Sequence, residues 1–386
     1  MNKIIELYKY LPSDNIDWEL IFSSLLLPFK EELNNTLQEA KWHGEGNVLK
    51  HTMMVCEELI KLAEYQKLSE DYQLVLFIAA LFHDIAKPVC TKIIDDEIRS
   101  FNHPTKGALI TREYLWKNLE LAGTKEYQEF REGIALLVKY HSEPTYFNYE
   151  KNKNKLVIRL STNTELTKYF TNELLYLLAK ADILGRIAES NEEKLEYIEE
   201  FKKTAIELDC YNKSFKFSDN YTKFKYLNSE NIWHYQNVYD SSWGEIILIC
   251  GLPGTGKDTY IKNNFSSHQV ISLDDIRKKY KIKPTQNQGE VYNIAKEMAK
   301  EFLRKKIPFV WNATNITDFT RSKQIALFHE YNAKVKVIFL ETSWEENKKR
   351  NQNRKNEVSQ KVIEEMLKKL TIVENDEAEN IMWLCV

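Results

Sequence analysis

A short glycine-rich loop between an apolar run and a polar helix could bind a triphosphate. The run Ile246–Cys250 leads directly into Gly251–Thr259, which has the spacing Gly-x-x-Gly-x-Gly-Lys. The glycines let successive backbone N–H groups turn inward, the following helix directs its positive end to the same point, and the lysine adds a cation for the β- and γ-phosphates. A glycine-rich turn without a ligand is the alternative.

The residue after the lysine departs from the strict pattern, which requires Ser or Thr to hold Mg²⁺. This chain has Asp258 there, and a hydroxyl follows one residue later at Thr259. We expect ATP or another NTP with Mg²⁺ at this loop. The residues expected to contact it are Gly251, Pro253, Gly254, Thr255, Gly256, Lys257, Asp258 and Thr259.

Five of the eight histidines fall between residues 43 and 141, where they indicate a second site. The pair His83–Asp84 ends an apolar helix, and adjacent helical side chains diverge by about 100°, so the pair can straddle a cation at the helix edge. A second carboxylate, Asp182, lies on a later helical segment. Imidazole and carboxylate ligands with open positions suit Zn²⁺, Mn²⁺, Fe, Co or Ni better than Ca²⁺ or Mg²⁺ alone. One such histidine alone is usually a core or surface residue, whereas the set predicts a metal site.

The order of these residues resembles the HD superfamily of metal-dependent phosphohydrolases over about residues 40–190. The resemblance implies an all-helical fold with one or two divalent metals. The first metal would be held by His51, His83, Asp84 and Asp182, and the second metal, or a phosphate, by His103 and His141. Such domains usually cleave phosphomonoesters or cyclic phosphodiesters, the metals making a hydroxide and clamping the phosphoryl oxygens.

Two further residues of this region are assigned to the substrate. Lys87 lies one helical turn beyond the His-Asp pair, where it would meet a phosphate oxygen. His43 precedes the first metal-site histidine in a glycine-rich turn and is assigned to substrate contact, with packing of the turn as the alternative.

An Asp-Asp-x-Arg sequence, Asp274–Arg277, follows the predicted strand Val270–Leu273. It resembles the signature of phage-type 5′-OH polynucleotide kinases. By that resemblance Asp274 takes the proton of the 5′-hydroxyl, and Arg277 holds the 3′-side phosphate. Independently, a carboxylate at the end of the second strand faces the γ-phosphate of a P-loop kinase, where an acceptor hydroxyl must lie. A simple helix N-cap is the alternative, and both can hold.

The remaining kinase residues are predicted further along the chain. The segment Phe309–Asn315 is similar to an element that positions the acceptor end, although it lacks an acid, and Asn315 is assigned to substrate binding. Arg350 and Arg354 stand one helical turn apart and resemble the arginine lid of these kinases, which spreads positive charge over the transferring group. A solvated basic helix is the alternative.

Periodicity predicts a multidomain chain in which an all-α HD phosphohydrolase precedes an α/β P-loop kinase with a parallel sheet. The predicted divisions are a helical extension at 1–40, an HD domain at 41–210, an aromatic and polar linker at 211–243 and a kinase domain at 244–386. Strands are expected at Ile246–Cys250, Val270–Leu273, Pro308–Asn312, Lys334–Leu340 and Ile381–Val386, with a hairpin near Lys92–Phe101. Aromatic residues of the linker could stack bases, but interdomain packing is the preferred interpretation.

Composition limits the remaining choices. The net charge of −3 means that local basic clusters, rather than a global field, must hold any nucleic acid. The five cysteines form no C-x-x-C pair, which fits a reducing cytoplasm, and neither a membrane span nor a signal peptide is predicted.

The whole order resembles bacterial bifunctional end-healing enzymes, in which an HD phosphoesterase is fused to a polynucleotide kinase. That resemblance implies RNA or DNA ends and ATP as partners, with a nucleic-acid ligase acting downstream. One alternative is a nucleotide phosphohydrolase fused to a nucleoside or nucleotide kinase. Another is a nucleotide sensor in which one half binds without turnover.

Overall fold

The computed structural model describes residues 2–283, 286–354 and 357–386. The chain forms two compact units. The first comprises residues 1–121 and 126–215, and the second comprises residues 122–125 and 216–386. Most of the predicted linker is therefore grouped with the second unit, where it contains a short helix at Asn220–Leu227.

The first unit is helical, as its periodicity predicts. Its helices are α1 Lys3–Leu7, α2 Trp18–Ser23, α3 Lys30–Asn35, α4 Val48–Lys61, α5 Ala63–Gln66, α6 Glu70–Phe82, α7 Lys87–Cys90, α8 His103–Lys117, α9 Lys125–Tyr140, α10 Lys153–Thr162, α11 Asn172–Leu184 and α12 Asn191–Glu207. Short 3₁₀ helices lie at Tyr8–Tyr10, Pro144–Tyr149 and Asn163–Glu165. The predicted hairpin is present as antiparallel strands β1 Thr91–Ile94 and β2 Glu97–Ser100.

Local sequence sets the start of the helices that carry the site. Asn47 precedes α4, and its side chain accepts a hydrogen bond from Lys50 N–H at 2.8 Å. Thr171 does the same for α11, accepting from Leu174 N–H at 3.1 Å. Such N-caps satisfy backbone donors that a helix leaves unpaired in its first turn. Helix α6 is buried along its last nine residues, so it forms the centre of this unit's core.

The second unit is a parallel α/β domain. Its strands are β3 Glu245–Cys250, β4 Gln269–Ser272, β5 Phe309–Asn312, β6 Lys334–Glu341 and β7 Asn380–Cys385, in the spatial order β4-β5-β3-β6-β7. Its helices are α13 Asn220–Leu227, α14 Lys257–Asn264, α15 Leu273–Tyr280, α16 Gln288–Arg304, α17 Asp318–Glu330, α18 Trp344–Gln352 and α19 Gln360–Leu367. The predicted fold class, an all-α unit followed by an α/β unit with a parallel sheet, is confirmed.

Strand order places the predicted kinase residues at one edge of this sheet. The central strand β3 pairs with β5 on one side and β6 on the other, so the chain winds in both directions from it. In such sheets the crevice beyond the carboxyl ends of the strands, next to the switch point, is where ligands bind. The loop after β3, the start of α15 after β4 and the end of β5 all lie at this edge.

One helical stretch of the described residues, Glu70–Cys90, is long and apolar enough to cross a membrane, with a mean hydropathy of 1.5. Its most apolar window is 78% buried inside the protein. A core helix of a soluble domain has the same length and composition, so this stretch is weak evidence for a membrane span.

Candidate functional site

The first unit brings together the histidines and carboxylates predicted to hold metal. They come from five separate parts of the fold: α4, the end of α6, the start of α8, the end of α9 and α11. The residues are His51, His83 with Asp84, His103, His141 and Asp182. Their ligand atoms form two groups in which all donors lie within 4.8 Å of one another.

The first group joins α4, α6 and α11. His51 Nε2 lies 3.0 Å from Asp182 Oδ1 and 3.3 Å from His83 Nε2. Together, these three residues form one group whose ligand atoms could hold a metal ion. Helix contacts between α4, α6 and α11 fix the three side chains relative to one another.

The second group contains Asp84, His103 and His141. His103 Nε2 lies 3.2 Å from Asp84 Oδ1, and the His103 and His141 ring centroids are 5.5 Å apart. The other Asp84 oxygen, Oδ2, lies 3.2 Å from His83 Nε2 and 3.6 Å from His51 Nε2. Asp84 therefore stands between the two groups and could serve a metal in either.

Backbone carbonyls orient three of the imidazoles. The Nδ1 atoms of His83, His103 and His141 lie 2.7, 2.8 and 2.8 Å from the carbonyl oxygen three residues earlier in the chain. A carbonyl only accepts, so each Nδ1 must carry a proton, and in the neutral form of each ring the lone pair is then on Nε2. This is the tautomer that a metal-binding imidazole needs.

The donor set fits a divalent metal because imidazole nitrogens, which accept in their metal-binding tautomer, face carboxylate oxygens, which also accept. Both Asp84 oxygens are buried, with Lys87 Nζ 2.7 Å from Oδ2. The other close groups are imidazole nitrogens, His83 Nε2 at 3.2 Å from Oδ2 and His103 Nε2 at 3.2 Å from Oδ1. A shared cation or proton between them makes such an arrangement favourable. His51 Nε2 and Asp182 Oδ1 have the same need at 3.0 Å.

The close packing of imidazoles and carboxylates shifts the pKa values of His51, Asp84 and His141. Burial opposes a charge on His51, but hydrogen bonds to Asp182 and Glu45 raise its pKa to about 9. Burial opposes the charged form of Asp84, yet the neighbouring Lys87 and His83 hold its pKa well below the usual range. Burial and the nearby His83 lower the pKa of His141 to about 3, so this ring is neutral at pH 7.

Lys87 lies inside the predicted site but is already paired. Its Nζ is 2.7 Å from Asp84 Oδ2 and also donates to Gln38 Oε1, and only 6% of the residue is exposed. Its ammonium therefore neutralises part of the Asp84 charge. A phosphate oxygen would have to share this cation with Asp84.

Glu45 is a site residue that sequence reasoning missed. Its Oε1 lies 2.8 Å from His43 Nδ1 and 2.9 Å from His51 Nδ1, while Oε2 accepts from Ile187 N–H at 3.0 Å. It thereby brings His43 against the His51 ring, with 4.7 Å between ring centroids. Its position, two residues after a histidine within a Gly-Glu-Gly turn, was the available signal. Carboxylates that hold the second nitrogen of metal-binding histidines are common.

In the second unit the loop after β3 has the backbone of a phosphate-binding loop. Gly251, Gly254 and Gly256 have φ of 143°, 86° and 84°. A Cβ at Gly251 would lie 2.4 Å from the Leu340 carbonyl oxygen, so this position requires glycine. Asn347 supports the loop from α18 by donating to the Pro253 carbonyl at 2.8 Å.

The loop lysine turns back onto its own loop. Lys257 Nζ donates to the carbonyls of Gly251 and Leu252 at 3.0 and 2.8 Å. Burial lowers the pKa of Lys257 to about 8. Asp258, which replaces the usual hydroxyl residue, accepts a hydrogen bond from Asn312 Nδ2 at 2.7 Å, which links the loop helix to the end of β5.

The Asp-Asp-x-Arg sequence opens α15 at the same edge of the sheet. Ser272 caps this helix by accepting from Asp275 N–H at 3.2 Å, which leaves Asp274 available for other contacts. Asp274 Oδ1 accepts from Arg277 at 2.6 Å, and Oδ2 lies 3.7 Å from Arg354 Nη2. The predicted base Asp274, its neighbour Arg277 and the predicted lid residue Arg354 thus lie in one cluster.

The other lid residue and Asn315 have local partners. Arg350 Nε donates to Glu346 at 2.7 Å, and a Cβ at Gly256 would come 3.3 Å from its Nη1, so this guanidinium lies over the loop. Asn315 is 4% exposed and donates to the Ile249 carbonyl at 2.8 Å. Its amide supports the turn after β5 and is not directed toward an open site.

These two sites define a chain with a metal-capable helical half and a phosphate-binding α/β half. Comparison with known families agrees: residues 48–162 match the HD domain, and residues 246–372 match an AAA domain of the P-loop class. His43 and Asp182 lie outside the first match, whereas the loop, the Asp-Asp-x-Arg sequence and both lid arginines lie within the second. No curated protein matches the chain. The chain is therefore a fusion of an HD phosphohydrolase domain with a P-loop kinase-like domain.

Proposed function

We propose that this protein is a bifunctional nucleic-acid end-healing enzyme. Its C-terminal unit phosphorylates 5′-OH ends of RNA or DNA with ATP. Its N-terminal unit removes 2′,3′-cyclic, 2′- or 3′-phosphates with one or two divalent metals. The observation that carries the proposal is the cluster of Asp274, Arg277 and Arg354 beside the phosphate loop. The described residues also hold three metal-capable groups, two of which are built from the predicted ligands.

The kinase reaction needs a base, a cation for the acceptor and cations for the transferring group. Asp274 is 60% exposed at its side chain, so an acceptor hydroxyl can approach it and lose its proton there. Arg277 lies beside it and can hold the phosphate that follows the acceptor hydroxyl. Lys257, Arg350 and Arg354 surround the position of the γ-phosphate and stabilise charge that develops during transfer.

Asp258 gives this loop a carboxylate where a hydroxyl is usual. Asn312 holds one of its oxygens, which leaves the other for Mg²⁺ or its water shell. A Mg²⁺ bound with ATP neutralises the phosphates. We therefore assign Asp258 and Asn312 to the support of the nucleotide in the kinase unit.

The phosphoesterase reaction uses the imidazoles and carboxylates of the first unit. Divalent metals bound there supply an activated water and hold the phosphoryl oxygens. The carbonyl-bound Nδ1 atoms leave Nε2 as the atom of each ring that would bind a metal. Lys87 shares its charge between Asp84 and a phosphate oxygen, and His43 borders the same pocket of donors.

The two reactions are complementary on a broken strand. Removal of a 3′-side phosphate gives a 3′-OH, and addition of a phosphate gives a 5′-phosphate. A strand with these ends is what a ligase can join, so a nucleic-acid ligase is the proposed downstream partner. We propose a cytoplasmic location because both reactions act on intracellular nucleic acid and ATP.

The test uses purified full-length protein in two assays. The first measures transfer from radiolabelled ATP to a 5′-OH oligonucleotide, with free nucleosides and nucleotides as competing acceptors. The second measures phosphate release from oligonucleotides with 3′-phosphate or 2′,3′-cyclic phosphate ends, with Mn²⁺, Ni²⁺, Co²⁺ or Mg²⁺. Preference for free nucleosides would favour a small-molecule kinase and contradict the proposal. A protein that binds metal and ATP without turnover would be a sensor.

A further inference from the structure

A group of tyrosines lies on the surface of the first unit next to the metal-capable groups. Tyr146 and Tyr149, on the 3₁₀ helix Pro144–Tyr149, are 59% and 67% exposed. Tyr197 of α12 packs against Tyr149 edge to face, with 5.9 Å between ring centroids. We call these three residues the tyrosine rim. Exposed aromatic rings gathered in one place usually mark a binding surface.

The rim surrounds a buried lysine, and a neighbouring carboxylate, Glu193, accepts a hydrogen bond from the Tyr197 hydroxyl. Lys194 Nζ lies 4.8, 5.0 and 5.1 Å from the ring centroids of Tyr146, Tyr149 and Tyr197. Only 8% of Lys194 is exposed, and its ammonium interacts electrostatically with Glu193 without a close ion pair among the described residues. Ring faces stabilise a cation only in part, so a buried ammonium of this kind can still accept an anion.

The chain connects the rim directly to the metal-capable residues. Tyr146 follows His141 by one short turn, and Arg186 follows Asp182 at the end of α11. The 3₁₀ helix Pro144–Tyr149 packs against α11, the helix that carries Asp182, and Tyr146 interacts electrostatically with both Arg186 and Asp182. Arg186 also has a buried Nη2 without a hydrogen-bond partner among the described residues. The region therefore combines ring faces with two positive charges, Lys194 and Arg186, and two carboxylates, Glu193 and Asp182.

We propose that the tyrosine rim and Lys194 form a subsite for the nucleotide that precedes the phosphate to be removed. A base stacks on the exposed face of Tyr146 or Tyr149, and a phosphodiester oxygen pairs with the Lys194 ammonium. This combination of ring faces and a cation is how single-stranded nucleic acid is held without sequence preference. The subsite rests on the proposed phosphoesterase function and makes its substrate a polynucleotide end.

The first test compares two substrates in the Tyr146→Ala/Tyr149→Ala double variant. One substrate is an oligonucleotide with a 2′,3′-cyclic phosphate, and the other is bis(p-nitrophenyl) phosphate, which has no base. Base stacking predicts that KM for the oligonucleotide rises about tenfold more than KM for the small ester. We expect kcat on the oligonucleotide to change much less than KM. Equal losses on both substrates would indicate a structural role and overturn the proposal.

Phe319→Ala is the matched control. Phe319 is 65% exposed and has Lys323 Nζ 3.9 Å from its ring centroid. The Phe319→Ala variant therefore also removes an exposed aromatic ring with a lysine partner. It lies in the second unit and should leave both phosphoesterase reactions unchanged.

A second test measures the charge of Lys194 by binding. Lys194→Met keeps an unbranched apolar stem but removes the cation, whereas Lys194→Arg retains it. The affinity for a 5′-phosphorylated single strand, measured by fluorescence anisotropy, should fall several-fold in Lys194→Met. The slope of log affinity against log salt concentration should become less negative by about one, because one phosphate contact is lost. Lys194→Arg should restore most of the affinity. A Lys194→Met variant with wild-type affinity and salt dependence would remove the lysine from the subsite.

The two tests also separate this inference from the proposed function. If the wild-type protein cleaves no phosphate but the rim variants bind single strands less tightly, the phosphoesterase proposal fails and the binding surface stands. If the wild-type protein cleaves the oligonucleotide and the rim variants bind and cleave it equally well, the subsite is wrong and the phosphoesterase function stands.

Discussion

At the scale of single residues, Asp274 is the group on which the kinase proposal depends. Asp274→Ala should lower 5′ phosphorylation by roughly 10² or more, because the variant lacks the base for the acceptor hydroxyl. The measurement is the initial rate of label transfer to a 5′-OH oligonucleotide at saturating ATP. Asp275→Ala is a close control, since Asp275 lies next in the chain but pairs with Lys278 at 3.0 Å. Near wild-type turnover in Asp274→Ala would show that another group is the base.

Lys257 gives the nucleotide site a pH dependence whose sign can be stated. Burial lowers its pKa to about 8 in the free protein, and a bound triphosphate favours the charged form and raises this pKa again. The complex therefore holds more protons than the free protein above pH 8. ATP affinity should fall by up to about tenfold per pH unit above 8 and stay level below it.

The same lysine also affects folding. The unfolded chain, with a Lys257 pKa of about 10.4, holds more protons than the folded chain between pH 8 and that value, so this group makes the free energy of unfolding rise with pH in that window.

The pH dependence of ATP affinity is measured by titration calorimetry from pH 7 to 9.5, with Lys257→Arg as the control because an arginine keeps its charge. An ATP affinity that is constant over this range would contradict the assigned pKa.

At the scale of elements, the loop after β3 can be tested through two glycines. Gly251→Ala forces a Cβ to within 2.4 Å of the Leu340 carbonyl oxygen at a φ of 143°, so it should destabilise the second unit by roughly 1–3 kcal/mol and impair ATP binding. Gly289→Ala is the control. It lies in the first turn of α16 with no atom near the added Cβ and should be neutral or slightly stabilising. Urea unfolding of both variants is the measurement, and equal free energies of unfolding would contradict the requirement for glycine.

The elements themselves were largely predictable from sequence. The central strands of a parallel sheet are buried on both faces, so they appear as continuous apolar runs such as Ile246–Cys250, and each predicted strand lies within a few residues of an observed one. The clustering of scarce histidines predicted the metal-capable groups. These signals are local in sequence.

Contacts between distant residues were not predictable. Glu45 meets Ile187 across 142 positions, and Asp258 meets Asn312 across 54. Neither pair has a spacing that a local pattern could reveal. The carbonyl contacts of the histidine Nδ1 atoms also depend on how each helix ends or begins. Asn315, assigned to substrate because its segment is similar to an acceptor-positioning element, donates to the Ile249 carbonyl of a neighbouring strand, which is another contact that no local pattern predicts.

At the scale of the whole molecule, the named metal-site residues all lie in the first unit and the named phosphate-site residues all lie in the second. Units with separate cores usually keep separate activities. Asp84→Ala should therefore lose metal-dependent phosphate release but keep kinase activity within a few-fold, and Lys257→Ala should do the reverse. Both assays on each variant, with circular dichroism as the check of folding, are the measurement. A folded variant that loses both activities would require a single composite site.

The three imidazoles whose Nδ1 atoms are bonded to main-chain carbonyls have a thermal consequence. Each bond ties a ligand to the terminus of a helix, where fraying begins, so local melting of those termini would release the ion. Conversely, an ion that binds only the ordered state adds to its stability, by about 2.7 kcal/mol at a free concentration one hundred times its dissociation constant. Chelation would then lower the melting temperature of the helical half alone, so a calorimetric trace with and without metal would show one transition moving and the other fixed.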